Sequence, residues 1–144
     1  MLFRQPQGDP RFADPAKGPL PPQTEPTIGD LLSEKANDWA WYAQGWDVAL
    51  ADRSVIYNVG GVVNFQPHHQ PYNYFAKYAP GTELRARHLK DMKAFWKAAA
   101  DGTLPAVVFV KPDGANNQHP GESTMAAGDS MAGTIVETLR RSPQ

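Results

Sequence analysis

Two of the side chains best suited to chemistry in this sequence share one short run. The segment Phe109-Val110-Lys111-Pro112-Asp113-Gly114-Ala115-Asn116-Asn117-Gln118-His119-Pro120-Gly121 reads as a buried strand, Ala106 to Val110, opening into a polar loop that carries Lys111 and His119. Ligands of open α/β sheets collect where strands release their carboxyl ends into loops. A cation and an imidazole there suit an anionic substrate such as a phosphate ester. His119 is the candidate catalytic residue: an imidazole can orient a phosphoryl oxygen, assist a leaving group or ligate a metal. Lys111 is a candidate substrate-binding charge, and Asn117, with its neighbour Asn116, a candidate hydrogen-bond donor to substrate. The competing structural roles are a surface histidine, a solvated lysine, and asparagines that satisfy their own loop.

The other histidines carry weaker signals. His68-His69 stands beside Gln66 and Gln70 and invites a metal reading. Adjacent side chains of an extended segment point in opposite directions, so packing in an ordered loop is the preferred assignment. His88 borders the apolar stripe of a long helix and reads as a boundary residue. Asp91, Asp101, Asp113 and Asp129 are isolated, each with a nearer explanation as cap, turn or surface charge. No paired carboxylates near a histidine suggest a divalent-metal site. GxSxG, Walker and GxGxxG motifs are absent, so the residues alone do not make a complete catalytic set.

The elements that must position these groups follow from pattern. Seven of the fourteen prolines precede Thr27, which makes residues 1–26 a proline-rich irregular arm. Residues 27–144 form the α/β part. Thr27 and Asp30 resemble a capping box, with Ile28, Leu31 and Leu32 at helical spacing and Asn37 as the stop. Trp39 to Ala43 reads as a strand and Trp46 to Ala51 as a short helix. Val55 to Asn58 reads as extended, and Phe65 to Tyr78 as an irregular packed loop with about one helical turn. A helix is expected over Glu83 to Ala100, its apolar face formed by Leu89, Met92, Phe95, Trp96 and Ala99, with Gly102 as its stop. The apolar run Val107 to Val110 suits a central parallel strand, and a last helix is expected from Met131 to Arg140, with Ile135, Val136 and Leu139 as its stripe. This alternation defines the α/β class.

Composition narrows the partners. The chain has 144 residues, 41% hydrophobic and 20% charged, and a formal net charge of -1. Its scattered Lys and Arg form no basic patch for nucleic acid. No apolar run reaches the ~18–20 residues needed for a transmembrane segment. Cysteine is absent, which removes disulfides and thiolate metal sites. The opening Met1-Leu2-Phe3-Arg4-Gln5-Pro6 lacks the basic-then-apolar pattern of a signal peptide.

Four ordered blocks carry a resemblance. They are Pro21 to Leu32, Trp39-Ala40-Trp41-Tyr42-Ala43, Asn64-Phe65-Gln66-Pro67-His68-His69-Gln70-Pro71-Tyr72-Asn73-Tyr74-Phe75, and Phe109-Val110-Lys111-Pro112 through His119-Pro120. In order and rough spacing the chain resembles the central part of the phosphoesterase family, which includes bacterial acid phosphatases and phospholipases C. The resemblance implies an alkaline-phosphatase-like sheet-and-helix core, truncated at both ends here. It also implies hydrolysis of phosphate ester or phospholipid substrates, and a divalent metal in the full-length enzyme. His119 matches the family histidine of the loop before His-Pro. The family's hydroxyl nucleophile and metal-binding groups come mainly from segments outside this slice, so the expectation is a fragment, inactive by itself and holding no metal alone. Export to the periplasm or medium is suggested by the resemblance only. Two alternatives stand beside it: a small non-catalytic α/β module binding an anion or protein partner through the 111–121 loop, and a metal-binding protein using His68, His69 and His119.

Overall fold

The structure is a computed structural model that describes residues 22–144. The proline-rich arm assigned to residues 1–26 therefore lies outside the described residues as far as residue 21. Among the described residues are a parallel three-stranded sheet and five α-helices, a mixed α/β arrangement as expected. The elements run α1 (Ile28–Glu34), β1 (Trp39–Ala43), α2 (Trp46–Ala51), α3 (Glu83–His88), β2 (Leu89–Asp91), α4 (Met92–Asp101), β3 (Val107–Lys111) and α5 (Met125–Arg141).

β1 is the middle strand, in the order β2-β1-β3. Trp41 to Ala43 pair with Leu89 to Asp91, and Trp39 to Ala43 with Val107 to Lys111. The central position expected for the Val107–Val110 run thus belongs to Trp39–Ala43. β3 borders the described sheet, and its residues are half-buried throughout rather than enclosed. It also begins at Val107 and reaches Lys111, one residue later than read from the apolar run.

Alternation along β1 separates two cores. Trp39 and Ala43 pack with Trp46, Ala49, Phe65, Tyr72, Tyr78 and Leu89 on one face. On the other face, Ala40 and Tyr42 pack with Met92 and Phe95 of α4 and with Ile135 of α5. Of the stripe expected on α5, Val136 and Leu139 are exposed. α1 opens with the expected capping box: the Thr27 Oγ1 accepts from the Asp30 amide at 3.3 Å, and the Asp30 carboxylate accepts from the Thr27 amide at 2.6 Å. It ends at Glu34, ahead of Asn37, as the chain turns through Ala36 with φ of 56°. Ile28 and Leu31 are exposed, so helical spacing there did not mark a buried face. Gly29 is the contact point of α1, since a Cβ on it would stand 2.2 Å from Cζ2 of the buried Trp39 indole.

The expected helix over 83–100 is two helices with a strand between them. Leu89–Asp91 leaves helical geometry to pair with β1, and the Asp91 carboxylate then caps α4 by accepting from the Lys93 amide at 3.0 Å. Parallel pairing satisfies the backbone of a buried Leu89 and a buried Asp91 while extending the sheet. Gly102, with φ of 67°, ends α4 as anticipated. α5 starts six residues earlier than expected, because Thr124 supplies its N-cap. The segment read as a loop with one helical turn carries three 3-10 turns, Pro67–His69, Pro71–Tyr74 and Ala76–Tyr78. Val55–Asn58 is not a strand: a 3-10 turn (Arg53–Val55) is followed by a lone bridge between Ile56 and Phe65. Among the described residues no helix is long and apolar enough to cross a membrane.

Candidate functional site

The three parallel strands deliver their carboxyl ends, Ala43, Asp91 and Lys111, to one edge of the sheet. The backbone there is closed by a bond from the Gln44 amide to the Lys111 carbonyl at 2.9 Å. From Lys111 the chain enters the 112–121 loop, whose first turn is fixed by its own polar groups. The Asn116 amide nitrogen donates to Asp113 Oδ1 at 2.8 Å, and Asp113 is buried. Asn116 and Asp113 therefore serve the loop, the structural role weighed against a substrate contact. Asn117 Oδ1 accepts from the His119 backbone amide at 2.9 Å. With that oxygen engaged, the donating end of Asn117 is its side-chain NH2 group.

His119 is exposed at the far side of the loop. Its Nδ1–H donates to the Pro120 carbonyl at 2.8 Å, since a carbonyl can only accept. That bond fixes the tautomer and leaves Nε2 as the ring's proton-accepting atom. Lys111 is half-buried, and burial lowers the pKa of its ammonium.

Facing this loop is the 64–70 segment, which packs against the same sheet edge. The Gly114 amide donates to the Asn64 carbonyl at 2.8 Å. Asn64 Nδ2 and Gln66 Nε2 both donate to Glu122 Oε2, at 2.5 and 2.6 Å. The Trp41 indole N–H of β1 donates to the His69 carbonyl at 2.7 Å. These bonds hold His68 and His69 over the strand ends. Their rings lie 4.6 Å apart at 79° to one another, because a 3-10 turn rather than an extended strand carries them. The opposed directions expected of adjacent side chains do not apply.

Charge ties the two segments together. Burial first, then the Lys111 and His119 charges, pull the His68 pKa down, while Glu122 acts in the opposite sense. Burial, then Lys111 and His68, push His69 down to about 3. Four buried polar atoms on the 64–70 segment lack any partner: Asn64 Oδ1, His69 Nδ1, and Nε2 and Oε1 of Gln70. Each unmade hydrogen bond of this kind costs about 1–3 kcal/mol. The structure thus brings His68 and His69, which the sequence assigned to packing, within electrostatic reach of Lys111 and His119, and adds Asn64, Gln66 and Glu122, which spacing did not single out.

His88 lies elsewhere, buried against Trp39. Asp91 caps α4 and accepts from the Asp47 amide at 3.0 Å, Asp101 pairs with Lys97, and Asp129 is exposed on α5. Among the described residues, no group of three or more His, Asp or Glu side chains is disposed to hold a metal ion. The set His68, His69 and His119 is not such a group.

The sequence profile of the phosphoesterase family matches residues 5–144. The chain belongs to the phosphoesterase family. The match covers the sheet, both histidine-bearing segments and the 111–121 loop, in agreement with the resemblance carried by the four blocks. Membership places this phosphoesterase chain, at the level of the family, among hydrolases of phosphate esters. No curated protein matches it.

Proposed function

We propose that the carboxyl edge of this sheet binds the phosphoryl group of a phosphate ester in an enzyme of the acid phosphatase or phospholipase C kind. In this reading His119 is the catalytic histidine, and Lys111 and Asn117 bind substrate. His119 takes or gives a proton through Nε2, the atom its bond to Pro120 leaves available. Lys111 supplies positive charge, and the NH2 group of Asn117 donates to a phosphoryl oxygen. The two histidines of the facing turn line the same anion. The fold expected around this edge is alkaline-phosphatase-like. The chain then contributes phosphoryl-binding and proton-transfer groups, whereas the hydroxyl nucleophile and a divalent metal are supplied from outside the described residues, and the chain alone turns over little substrate.

One observation carries this reading. Three basic groups on two segments, His68, His69 and Lys111, are each held where their charged forms are disfavoured. Burial is the first cause at each of them, and an anion set between these groups favours their charged forms. The half-buried apolar residues of β3 also suit further chain packed beside that strand.

The test is binding of inorganic phosphate and turnover of an aryl phosphate by the 144-residue chain, with His119→Ala and Lys111→Met beside the parent. Phosphate is expected to shift the ring resonances of His68 and His119, and each substitution to weaken it about tenfold, the worth of one charged hydrogen bond. Absence of any phosphate effect on these rings would remove the site from this edge. Restoration of aryl-phosphate turnover by the remaining parts of a phosphoesterase, lost again on His119→Ala, separates the catalytic reading from a module that only binds anions.

A further inference from the structure

The phosphoryl-binding reading leaves one carboxylate unused, and that carboxylate joins the two histidine-bearing segments. A single oxygen, Glu122 Oε2, accepts from both Asn64 Nδ2 and Gln66 Nε2. The donors belong to side chains only 1% and 2% exposed, so the bonds form where water competes little. Hydrogen bonds to an ionised acceptor in such surroundings are the stronger kind.

The bonds continue in both directions. Toward the loop, the Glu122 and Ser123 amides both donate to the His119 carbonyl at 3.0 Å. Toward the turn, the Gln66 carbonyl accepts from the His69 amide at 2.8 Å. An unbroken path of hydrogen bonds therefore runs from the backbone of His119 through Glu122 and Gln66 to the backbone of His69. Gly114 crosses directly over this junction. A Cβ there would stand 2.3 Å from Asn64 Nδ2 and 2.8 Å from Glu122 Oε2, so the crossing requires glycine.

We propose that Glu122 is a positioning residue, whose carboxylate locks the 111–122 loop onto the 64–69 segment and thereby sets His119 opposite His68 and His69. This rests on the reading of that edge as the phosphoryl site. Glu122 touches no substrate in this arrangement; it acts through the backbones it ties. Its negative charge also faces His68, together with the charges of Lys111 and His119, the neighbouring His69 ring, and the Tyr57 hydroxyl 3.3 Å from His68 Nδ1. Among these groups it is the acidic one that favours the His68 imidazolium.

Charge and geometry separate in two variants. Glu122→Gln keeps an oxygen able to accept both amide N–H groups and loses the charge. Glu122→Ala loses both. In the full chain, both variants are expected to lower the titration midpoint of the His68 ring. Only Glu122→Ala is expected to speed hydrogen exchange at the amides of residues 122 and 123 and to weaken inorganic phosphate, each by about tenfold or more, as loss of two charge-assisted bonds implies. Wild-type exchange and wild-type phosphate affinity in Glu122→Ala would overturn the assignment. Should that variant fail to fold, Gln66→Met keeps the volume and removes one donor, and must show the same faster exchange; wild-type exchange there overturns the proposal equally. If the parent chain binds no phosphate, the functional reading fails by itself, while exchange at 122 and 123 and the His68 midpoint still decide the role of Glu122.

Discussion

The imidazole of His88 lies flat on the indole of Trp39, with ring centroids 4.1 Å apart and planes 7° from parallel, and its Nδ1–H donates to the Trp39 carbonyl at 2.7 Å. This contact sits where α3 passes into β2, at the last residue before the strand. It fastens the α3–β2 junction to the start of β1 by ring and by backbone at once. Burial, the first cause, disfavours the His88 imidazolium, in keeping with a neutral donor stacked on an aromatic face.

His88→Ala removes a nearly fully buried ring and a hydrogen bond to a carbonyl. The expected cost is about 3 kcal/mol, the sum of a large-to-small core change and one lost bond. Thermal unfolding should then begin roughly 10 °C lower. A melting temperature within about 2 °C of the parent would show that the stack contributes little.

Much of the sheet was legible because its signals are short-range. The Trp39–Ala43 strand, the Trp46–Ala51 helix, the Thr27–Asp30 box and the Gly102 stop each depend on a few adjacent residues. Leu89–Asp91 was not legible, because three residues are too few to break the helical periodicity running from Leu89 to Ala99. One local sign was available: Asp91 is a helix-capping residue type standing immediately before Met92. The place of Lys111 at a carboxyl end of the sheet, with the loop to His119 following it, was legible since a strand end announces itself in the chain that follows it. His68 and His69 reach the same edge only through tertiary contacts, the Trp41 N–H to the His69 carbonyl and the paired amides on Glu122. No spacing within the sequence encodes those contacts.

His69 makes the fold acid-sensitive. Its imidazole is held down to about 3, chiefly by burial, against 6.5 in an unfolded chain. The unfolded state therefore binds the proton first. The stability from a neutral His69 is complete above pH 6.5 and is lost as pH falls from 6.5 towards 3, at up to ~1.4 kcal/mol per pH unit. Urea unfolding at pH 7, 5.5 and 4 should show the stability advantage of the parent over His69→Asn shrinking with each step. A difference that stays constant across that range would mean the ring is already solvated.

Anion binding should take up protons. In the free protein the His68 imidazolium is disfavoured by burial and by the charges of Lys111 and His119, which lowers its pKa from 6.5. A phosphoryl anion between these groups reverses the balance and raises it again. Between the free and bound values the complex holds a proton that the free protein lacks, so affinity rises as pH falls through that window. One linked proton gives a slope of up to about tenfold per pH unit. Sulfate, whose charge is constant across this range, separates the effect from titration of phosphate itself. Calorimetry in two buffers of different ionisation heat reads the proton directly. Uptake on binding is the expected result, reduced in His68→Gln; release, or sulfate affinity independent of pH, would place the anion away from His68.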